Sequence, residues 1–277
     1  MKLAAYFCLI ALALPGCAGM GSYSPLLPME RALLYQPERD DGGGEHVTDA
    51  WFTTDDGKRL HGRFFDHPQR RAVILYCHGN AGSIETWSMA ALELQQQHQC
   101  AVFVFDYRGY GKSEGTPSEE GLYQDARAAR RCLALKAGVG EKDIVVLGRS
   151  LGGGVAVDLA SMDGARGLIL QSTFSSLPDV AAYHVPWLLP HLMMTQRFDS
   201  VAKIKNYAGP LLQCHGDADR LIPISLAQRL YDTAQGKKQF ITIPGGGHND
   251  PPHGSFDETL DEFLSHLPAE QSGKRKP

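Results

Sequence analysis

The stretch Gly-Arg-Ser-Leu-Gly-Gly at residues 148–153 decides how the rest of this chain is interpreted. It follows the apolar run Ile-Val-Val-Leu at residues 144–147 and precedes the small-residue stretch Gly-Val-Ala-Val-Asp-Leu-Ala at residues 154–160. This order predicts a strand, a sharp turn and a helix, the context in which Gly-x-Ser-x-Gly presents a nucleophilic serine. We therefore predict that Ser150 stands at the tip of the turn. The positive end of the following helix would face any oxyanion formed there.

The predicted acid lies at the end of a second strand. The apolar run at residues 210–214 leads into the loop His-Gly-Asp-Ala-Asp-Arg at residues 215–220. Sites in open α/β sheets form at the carboxyl ends of the strands, so this loop is a suitable position for a functional carboxylate. Asp219 is the predicted acid and Asp217 is the alternative. Either could instead be an ordinary turn aspartate that bonds to its own backbone.

The predicted base follows a third strand, at residues 238–243. Three glycines precede His248, which is typical of a tightly turned loop, and His253 is the nearest alternative. An isolated histidine is more often a packing or surface residue, so the assignment depends on the chain order Ser, Asp, His. In this interpretation His248 takes the proton of Ser150 while Asp219 fixes the imidazole tautomer. An acyl-enzyme then forms, which water hydrolyses.

A further strand pattern indicates where an oxyanion would bind. The buried-strand sequence at residues 71–77 runs into His-Gly-Asn-Ala-Gly at residues 78–82. One oxyanion donor is expected in such a loop and the other directly after the nucleophile. The predicted donors are the backbone N–H groups of Asn80, with Ala81 as the neighbouring candidate, and of Leu151. The loop taken alone is equally typical of an ordinary glycine turn.

These motifs together resemble those of α/β-hydrolases, and most nearly the Bem46-like and serine-aminopeptidase-like group. The segments that carry the resemblance are residues 77–82, 105–113, 148–153, 215–219 and 247–250, within a span of roughly residues 47–267. The resemblance implies an α/β-hydrolase fold with a mostly parallel central sheet wrapped by helices, and it places the acid at Asp219. It implies a serine hydrolase of carboxylic esters or thioesters. It does not identify the substrate, because this fold hosts many chemistries.

The remaining sequence agrees with one α/β domain over residues 45–268. Strand patterns at residues 46–54 and 59–66 flank a Thr-Asp-Asp-Gly turn, and strands alternate with helices from residue 71 onwards. Residues 177–209 interrupt the alternation and are predicted to form a short, apolar cap. The cap could shape an acyl or aromatic pocket, with Ser172 and Thr173 beside it, or its apolar residues could simply be the buried underside of a helix.

The N-terminus carries a targeting signal. Met1 and Lys2 precede an apolar stretch at residues 3–14 that is too short to span a bilayer. The following Leu-Pro-Gly-Cys resembles the signal of bacterial lipoproteins, which implies a signal peptide at residues 1–16 and lipidation of Cys17. Ala18 after the cysteine implies the outer membrane, facing the periplasm, if the source is Gram-negative. The alternative is a secretory peptide cut after Ala13 or Ala18.

The mature chain would begin with a tether and end with a short tail. The tether is predicted over residues 17–44, with a short docking segment at residues 29–35, and the C-terminal tail at residues 269–277. Of the six cysteines, Cys8 lies in the signal. Cys77 and Cys214 have the pattern of free, buried thiols, while a disulfide between Cys100 and Cys132 remains an alternative.

The composition fits one globular domain and argues against nucleic-acid binding. The chain has 277 residues, 43% hydrophobic and 21% charged, which fits one ordinary globular domain. The formal net charge is −4 and no long basic patch occurs, so a nucleic-acid partner is not expected. No zinc-site spacing occurs, and neither a metal nor another cofactor is expected. The expected partners are a small acyl substrate and a membrane reached through the lipidated N-terminus.

Two further functions remain open at this stage. The first is an aminopeptidase, which the family resemblance suggests. This activity would require acidic groups that hold a substrate amino terminus, and the cap offers Asp179 and Asp199 as candidates. A non-catalytic lipoprotein that uses the fold as a binding module is the other alternative, against which the ordered Ser, Asp and His residues argue.

Overall fold

The computed structural model describes residues 27–40 and 48–270. The predicted signal peptide, Cys17 and residues 271–277 lie outside the described residues. Ten strands are described: β1 (Gln36–Pro37), β2 (Asp49–Thr53), β3 (Arg59–Phe65), β4 (Ala72–Cys77), β5 (Ala81–Gly82), β6 (Cys100–Phe105), β7 (Val145–Arg149), β8 (Gly167–Gln171), β9 (Leu211–Gly216) and β10 (Lys238–Ile243).

Eight of these strands form one sheet in the order β10-β9-β8-β7-β4-β6-β3-β2. The pairs from β10 to β6 are parallel, while β3 pairs antiparallel with both β6 and β2. The predicted hairpin and the mostly parallel α/β sheet are therefore confirmed. In a parallel sheet the carboxyl ends of the strands share one edge, and the loops that follow β4, β7, β9 and β10 meet there.

Nine α-helices are described, some packed on the faces of the sheet and some in the predicted cap. They are α1 (Leu27–Leu34), α2 (Ile84–His98), α3 (Glu119–Ala137), α4 (Leu151–Asp163), α5 (Leu177–His184), α6 (Pro190–Met193), α7 (Ser200–Ile204), α8 (Ile224–Thr233) and α9 (Phe256–Ser265). Within residues 27–40 and 48–270, none of the helices combines the length and the hydrophobicity needed to cross a bilayer.

The central strands are buried on both faces. In β4, Val73 and Leu75 belong to one hydrophobic cluster, while Ile74 and Tyr76 belong to the cluster on the opposite face. This alternation follows from the period of two in a strand. Because helices cover both faces of a parallel sheet, β4 has a continuous apolar sequence rather than an alternating one.

The predicted cap at residues 177–209 contains α5, a 3₁₀ turn at Pro186–Leu188, α6 and α7. Its apolar residues divide into two groups. One group is buried against the domain and includes Leu177, Val180 and Val185. Those side chains follow the expectation of a buried underside, whereas other apolar side chains of α5, the turn and α6 are exposed.

The segment before the hairpin packs on the domain. The docking segment predicted at residues 29–35 forms most of α1, and the Glu30 carboxylate accepts the backbone N–H of Thr195 (2.9 Å) and of Gln196 (2.8 Å). The Tyr35 hydroxyl donates to Gln196 Oε1 at 2.8 Å, and β1 pairs with β5. The part of the predicted tether at residues 27–40 is therefore folded against the cap and the loop after β4.

The four described cysteines are free. Cys77 and Cys214 are buried, as expected, and the alternative Cys100–Cys132 disulfide is not formed. Burial raises the pKa of the Cys214 thiol to about 12, so this group is a neutral packing residue.

Candidate active site

Ser150 connects β7 to α4 in a strained backbone conformation. Its φ is 53° and its ψ is −118°, which is an unusual combination for a residue other than glycine. Three hydrogen bonds hold it there. The backbone N–H of Ser150 donates to the carbonyl of Gln171 at 2.9 Å. The Ser150 carbonyl accepts from the N–H of Gly153 and from the Thr173 hydroxyl, each at 2.9 Å.

The glycines around Ser150 are required by close contacts. A Cβ atom on Gly152 would lie 2.0 Å from the backbone oxygen of Cys77. A Cβ on Gly148 would lie 2.4 Å from the Gly152 oxygen, and one on Gly153 would lie 2.1 Å from Thr173 Oγ1. Since real Cβ atoms do not approach other atoms so closely, a side chain at Gly152 would keep the first turn of α4 from packing against the end of β4. Side chains at Gly148 and Gly153 would collide with α4 and with Thr173.

His248 joins the serine to the acid. Its Nε2 atom lies 3.0 Å from Ser150 Oγ, and its Nδ1 atom lies 2.8 Å from Asp219 Oδ2. With the proton on Nδ1, the imidazole donates to the carboxylate and can accept the hydroxyl proton of the serine. Arg149 ties this loop to the turn, since its guanidinium donates to the carbonyls of His248 (3.3 Å) and Asp250 (3.2 Å).

The alternatives left open by the sequence have other positions. Asp217 is exposed and accepts the backbone N–H of Gly245 at 2.7 Å, which is an ordinary loop-fixing role. His253 is exposed. The structure thus brings together Ser150, His248 and Asp219, in contacts that span 98 residues for one pair and 29 for the other.

Asp219 is held in its ionised form. Its side chain is fully buried, and burial alone would raise its pKa. Hydrogen bonds from His215 and His248 outweigh burial and hold the pKa well below the usual range of an aspartate. The second carboxylate oxygen accepts the backbone N–H groups of Leu221 (2.8 Å) and Ile222 (2.9 Å), which fixes the carboxylate plane.

His215 is a site residue to which the sequence analysis gave no role. It is buried in β9, and its Nε2 atom lies 3.2 Å from Asp219 Oδ2 and 2.8 Å from the Ile222 carbonyl. Its position four residues before Asp219, at the end of a strand, was the only sequence signal. Thr173 was expected beside the pocket, and its hydroxyl supports the Ser150 carbonyl at 2.9 Å.

The two predicted oxyanion donors lie on segments that adjoin. Leu151 is the first residue of α4, and the neighbouring Gly152 packs against the carbonyls of Cys77 and His78 at the start of the loop that carries Asn80. The Asn80 side chain is held by the Gln36 N–H (3.2 Å) and by the Tyr110 hydroxyl (3.1 Å). The assignment of the Asn80 and Leu151 N–H groups as donors stays a prediction.

The acidic candidates for an aminopeptidase site are occupied by internal contacts. Asp179 accepts the Ser175 hydroxyl at 2.6 Å and the Arg229 guanidinium at 3.2 Å. Asp199 caps α7 by accepting the N–H of Ala202 at 3.1 Å. Both carboxylates thus already serve internal contacts of the fold.

Within the described ranges, no group of three or more His, Cys, Asp or Glu residues has a geometry that could hold a metal ion.

Comparison with known proteins places this geometry in context. Residues 72–202 match the sequence profile of the alpha/beta hydrolase fold. The chain is 38% identical over 205 residues to uncharacterized protein Rv2307c of Mycobacterium tuberculosis, covering 73% of each chain. It is 32% identical over 259 residues to alpha/beta hydrolase domain-containing protein WAV2 of Arabidopsis thaliana, covering 85% of this chain and 79% of that one.

A solved structure shares the fold at lower sequence identity. The esterase Pf2001 of Pyrococcus furiosus superposes with a TM-score of 0.68 and 20% identity, covering 84% of this chain and 98% of the esterase. At this identity the likeness concerns the fold alone.

Substitution of Gly152 by alanine tests the close approach of α4 to β4. We expect Gly152→Ala to lower the free energy of unfolding by about 3 kcal/mol or more, because the added Cβ meets a backbone oxygen that cannot move aside. Gly247→Ala is the matched control, since its nearest neighbour is a side-chain oxygen at 3.4 Å. Equal melting temperatures of both variants and the wild type, measured by calorimetry, would contradict this close packing.

Substitution of Asp219 by asparagine tests the buried carboxylate. Because folding lowers the pKa of Asp219, its stabilisation is complete above the unfolded pKa of about 4 and is lost as the pH falls towards the folded pKa. We expect Asp219→Asn to destabilise the protein by about 1–3 kcal/mol at pH 6. In urea titrations the difference from wild type should shrink below about pH 4.

The exposed Asp217 supplies the control for that measurement. Asp217→Asn should reduce the free energy of unfolding by less than about 1 kcal/mol at pH 6. A difference between wild type and Asp219→Asn that grows below about pH 4 would contradict the direction assigned to the pKa of Asp219.

Proposed function

Because this chain belongs to the α/β-hydrolase family, we propose that it is a serine hydrolase acting on carboxylic esters or thioesters. The observation that carries the proposal is the continuous hydrogen-bond chain from Ser150 through His248 to Asp219 at a strained turn. A serine hydroxyl is a poor nucleophile at neutral pH, and an adjacent imidazole oriented by a carboxylate is the arrangement that activates it.

The proposed reaction has two halves. Ser150 Oγ attacks the carbonyl carbon while His248 Nε2 takes the hydroxyl proton, and Asp219 stabilises the resulting imidazolium. The negative oxygen of the tetrahedral intermediate binds the N–H groups of Asn80 and Leu151. His248 then gives its proton to the leaving alcohol or thiol, and the acyl-enzyme forms. Water, deprotonated by His248, then attacks the acyl carbon, the bond from that carbon to Ser150 Oγ breaks, and His248 returns the proton to Oγ, which releases the acid.

Two observations support an ester or thioester rather than a peptide as substrate. The acidic groups that could hold a peptide amino terminus already have partners, because Asp179 accepts from Ser175 and Arg229 and Asp199 accepts the N–H of Ala202. A solved structure that shares the fold, at 20% sequence identity, is named an esterase. We propose that the substrates have short-to-medium acyl chains, because the cap is short. We also propose that the chain belongs to the Bem46-like group, on the basis of the motifs at residues 77–82 and 247–250.

We also propose that the mature protein is a lipoprotein anchored through Cys17. The support is the apolar stretch at residues 3–14 followed by Leu-Pro-Gly-Cys. Acyl chains contribute about 0.8 kcal/mol for each buried methylene, so several chains on one cysteine would hold the enzyme at a membrane. In a Gram-negative cell this would be the outer membrane, with the enzyme facing the periplasm.

Substitution of Ser150 tests the nucleophile. We expect Ser150→Ala to reduce kcat/KM on a panel of p-nitrophenyl esters by about 10⁴-fold or more, because the remaining groups cannot form an acyl-enzyme. A fluorophosphonate should add once to the wild-type protein, by intact mass, and not to the variant.

The exposed Ser265 is the matched control, and Ser265→Ala should keep both the activity and the adduct. Full activity in Ser150→Ala would exclude this serine as the nucleophile. A folded wild-type protein that takes no adduct would instead favour a non-catalytic binding module.

Substitution of Cys17 tests the anchor. Cells grown with a palmitate analogue should label the wild-type protein and Cys8→Ala, whereas Cys17→Ala should take no label because it lacks the thiol that is modified. Label that persists in Cys17→Ala, or its absence from the wild type, would contradict the lipoprotein proposal.

A further inference from the structure

The outer surface of the cap carries four exposed apolar side chains. Tyr183 is 61% exposed, Trp187 67%, Leu189 59% and Leu192 80%. They follow one another along the chain, at the end of α5, in the 3₁₀ turn, directly before α6 and in α6. We call these four side chains the apolar crown. Single exposed apolar residues are normal on a protein surface, whereas clusters of them are more typical of interaction surfaces.

The crown is distinguished by its charge. Residues 180–198 contain no Asp or Glu, and their basic side chains are His184, His191 and Arg197, of which His191 lies 3.5 Å from the Asp179 carboxylate. The nearby carboxylates of Glu30 and Glu119 are occupied by backbone N–H groups at residues 195–198. The surface is thus apolar with a weakly basic rim, which is complementary to the head groups and acyl boundary of an anionic bilayer.

The residue types also fit a lipid interface. Tyr and Trp combine an apolar ring with one polar atom, which favours the boundary between head groups and acyl chains. Leu189 adds a second observation, because this exposed leucine has a φ of 45°. A non-glycine residue in that region is strained, and such strain is found more often at functional surfaces than elsewhere.

The path of the chain brings the proposed anchor to this side of the molecule. Glu30 binds the N–H of Thr195, three residues beyond Leu192, so the start of α1 lies beside the crown. Cys17 precedes Leu27, the first residue of α1, by ten positions, which span at most about 35 Å when extended. A lipid on Cys17 would therefore place a bilayer within reach of the crown.

We propose that the apolar crown docks on a phospholipid bilayer. The cap adjoins the active-site edge of the sheet, because His184 Nε2 contacts the Leu221 carbonyl at 2.9 Å in the loop that carries Asp219. Docking thus turns the edge that carries Ser150 towards the membrane surface, where acyl lipids would be presented. This orientation rests on the proposed lipid anchor and the proposed hydrolase function. Binding of the crown to a bilayer can be measured independently of both.

The test uses the unlipidated mature chain from Ala18 to the C-terminus, which contains every element described above. Its cosedimentation with vesicles of phosphatidylglycerol and phosphatidylethanolamine is compared with that of the double variant Trp187→Ser and Leu192→Ser. We expect the wild type to bind and the crown variant to bind at least about tenfold more weakly, because two large apolar side chains are removed from the interface.

The matched control carries Leu135→Ser and Met162→Ser, which remove apolar side chains that are 85% and 63% exposed on α3 and α4. Its vesicle binding should stay within about twofold of the wild type, and thermal melting checks that all three proteins are folded. Equal binding by the crown variant, or wild-type sedimentation at the level without vesicles, would overturn the proposal. The proposal would also be overturned if the wild type formed a dimer that does not bind vesicles and that the crown substitutions dissociate.

Hydrolysis of a soluble p-nitrophenyl ester is measured on the wild-type sample alone. Its absence would count against the proposed hydrolase function, while the vesicle result would still decide the role of the crown.

Discussion

The contact between the first turn of α4 and the carboxyl end of β4 is the constraint on which the site depends. Gly152 lies so close to the Cys77 carbonyl that no side chain fits between them. This approach forces the chain to reverse at Ser150 in a positive-φ conformation and exposes the hydroxyl at the sheet edge. The same approach sets the loop after β4 beside the N-terminus of α4, where the two proposed oxyanion donors lie.

The rest of the site is built to hold an imidazole against that hydroxyl. β9 and β10 are neighbouring parallel strands, so the loops that follow them leave the sheet at the same edge. Asp219 uses both oxygens, one for two backbone N–H groups and the other for His215 and His248. A carboxylate so constrained keeps its charge and its orientation, and it therefore fixes the imidazole in one plane and one tautomer.

Much of the fold and the site can be predicted from the sequence because the signals are local. Apolar runs such as residues 72–77 and 145–147 identify buried strands, and the glycines around Ser150 indicate a sharp turn. Asp219 is preferred to Asp217 from the sequence, the family resemblance agrees with that choice, and the structure supplies the physical reason. Asp219 bonds to the backbone of residues 221 and 222, which turns its other oxygen towards His248.

Other features could not be predicted because they depend on contacts between distant segments. Glu30 and Thr195 are 165 residues apart, and no local pattern of either segment indicates that they meet. In the sequence, His215 cannot be distinguished from an ordinary residue at the end of a strand. Its role becomes visible only from its distance to Asp219. The division of the cap into buried and exposed apolar residues likewise depends on short, irregular helices for which the hydrophobic period is too brief to assign a face.

The central claim is that Ser150, His248, Asp219 and two backbone donors form one reactive centre. A crystal structure of the protein after reaction with a fluorophosphonate would test it most directly. We expect phosphorus bonded to Ser150 Oγ and a phosphonyl oxygen about 2.7–3.1 Å from the N–H groups of Asn80 and Leu151. An adduct on another residue, or a phosphonyl oxygen that contacts neither N–H group, would contradict it.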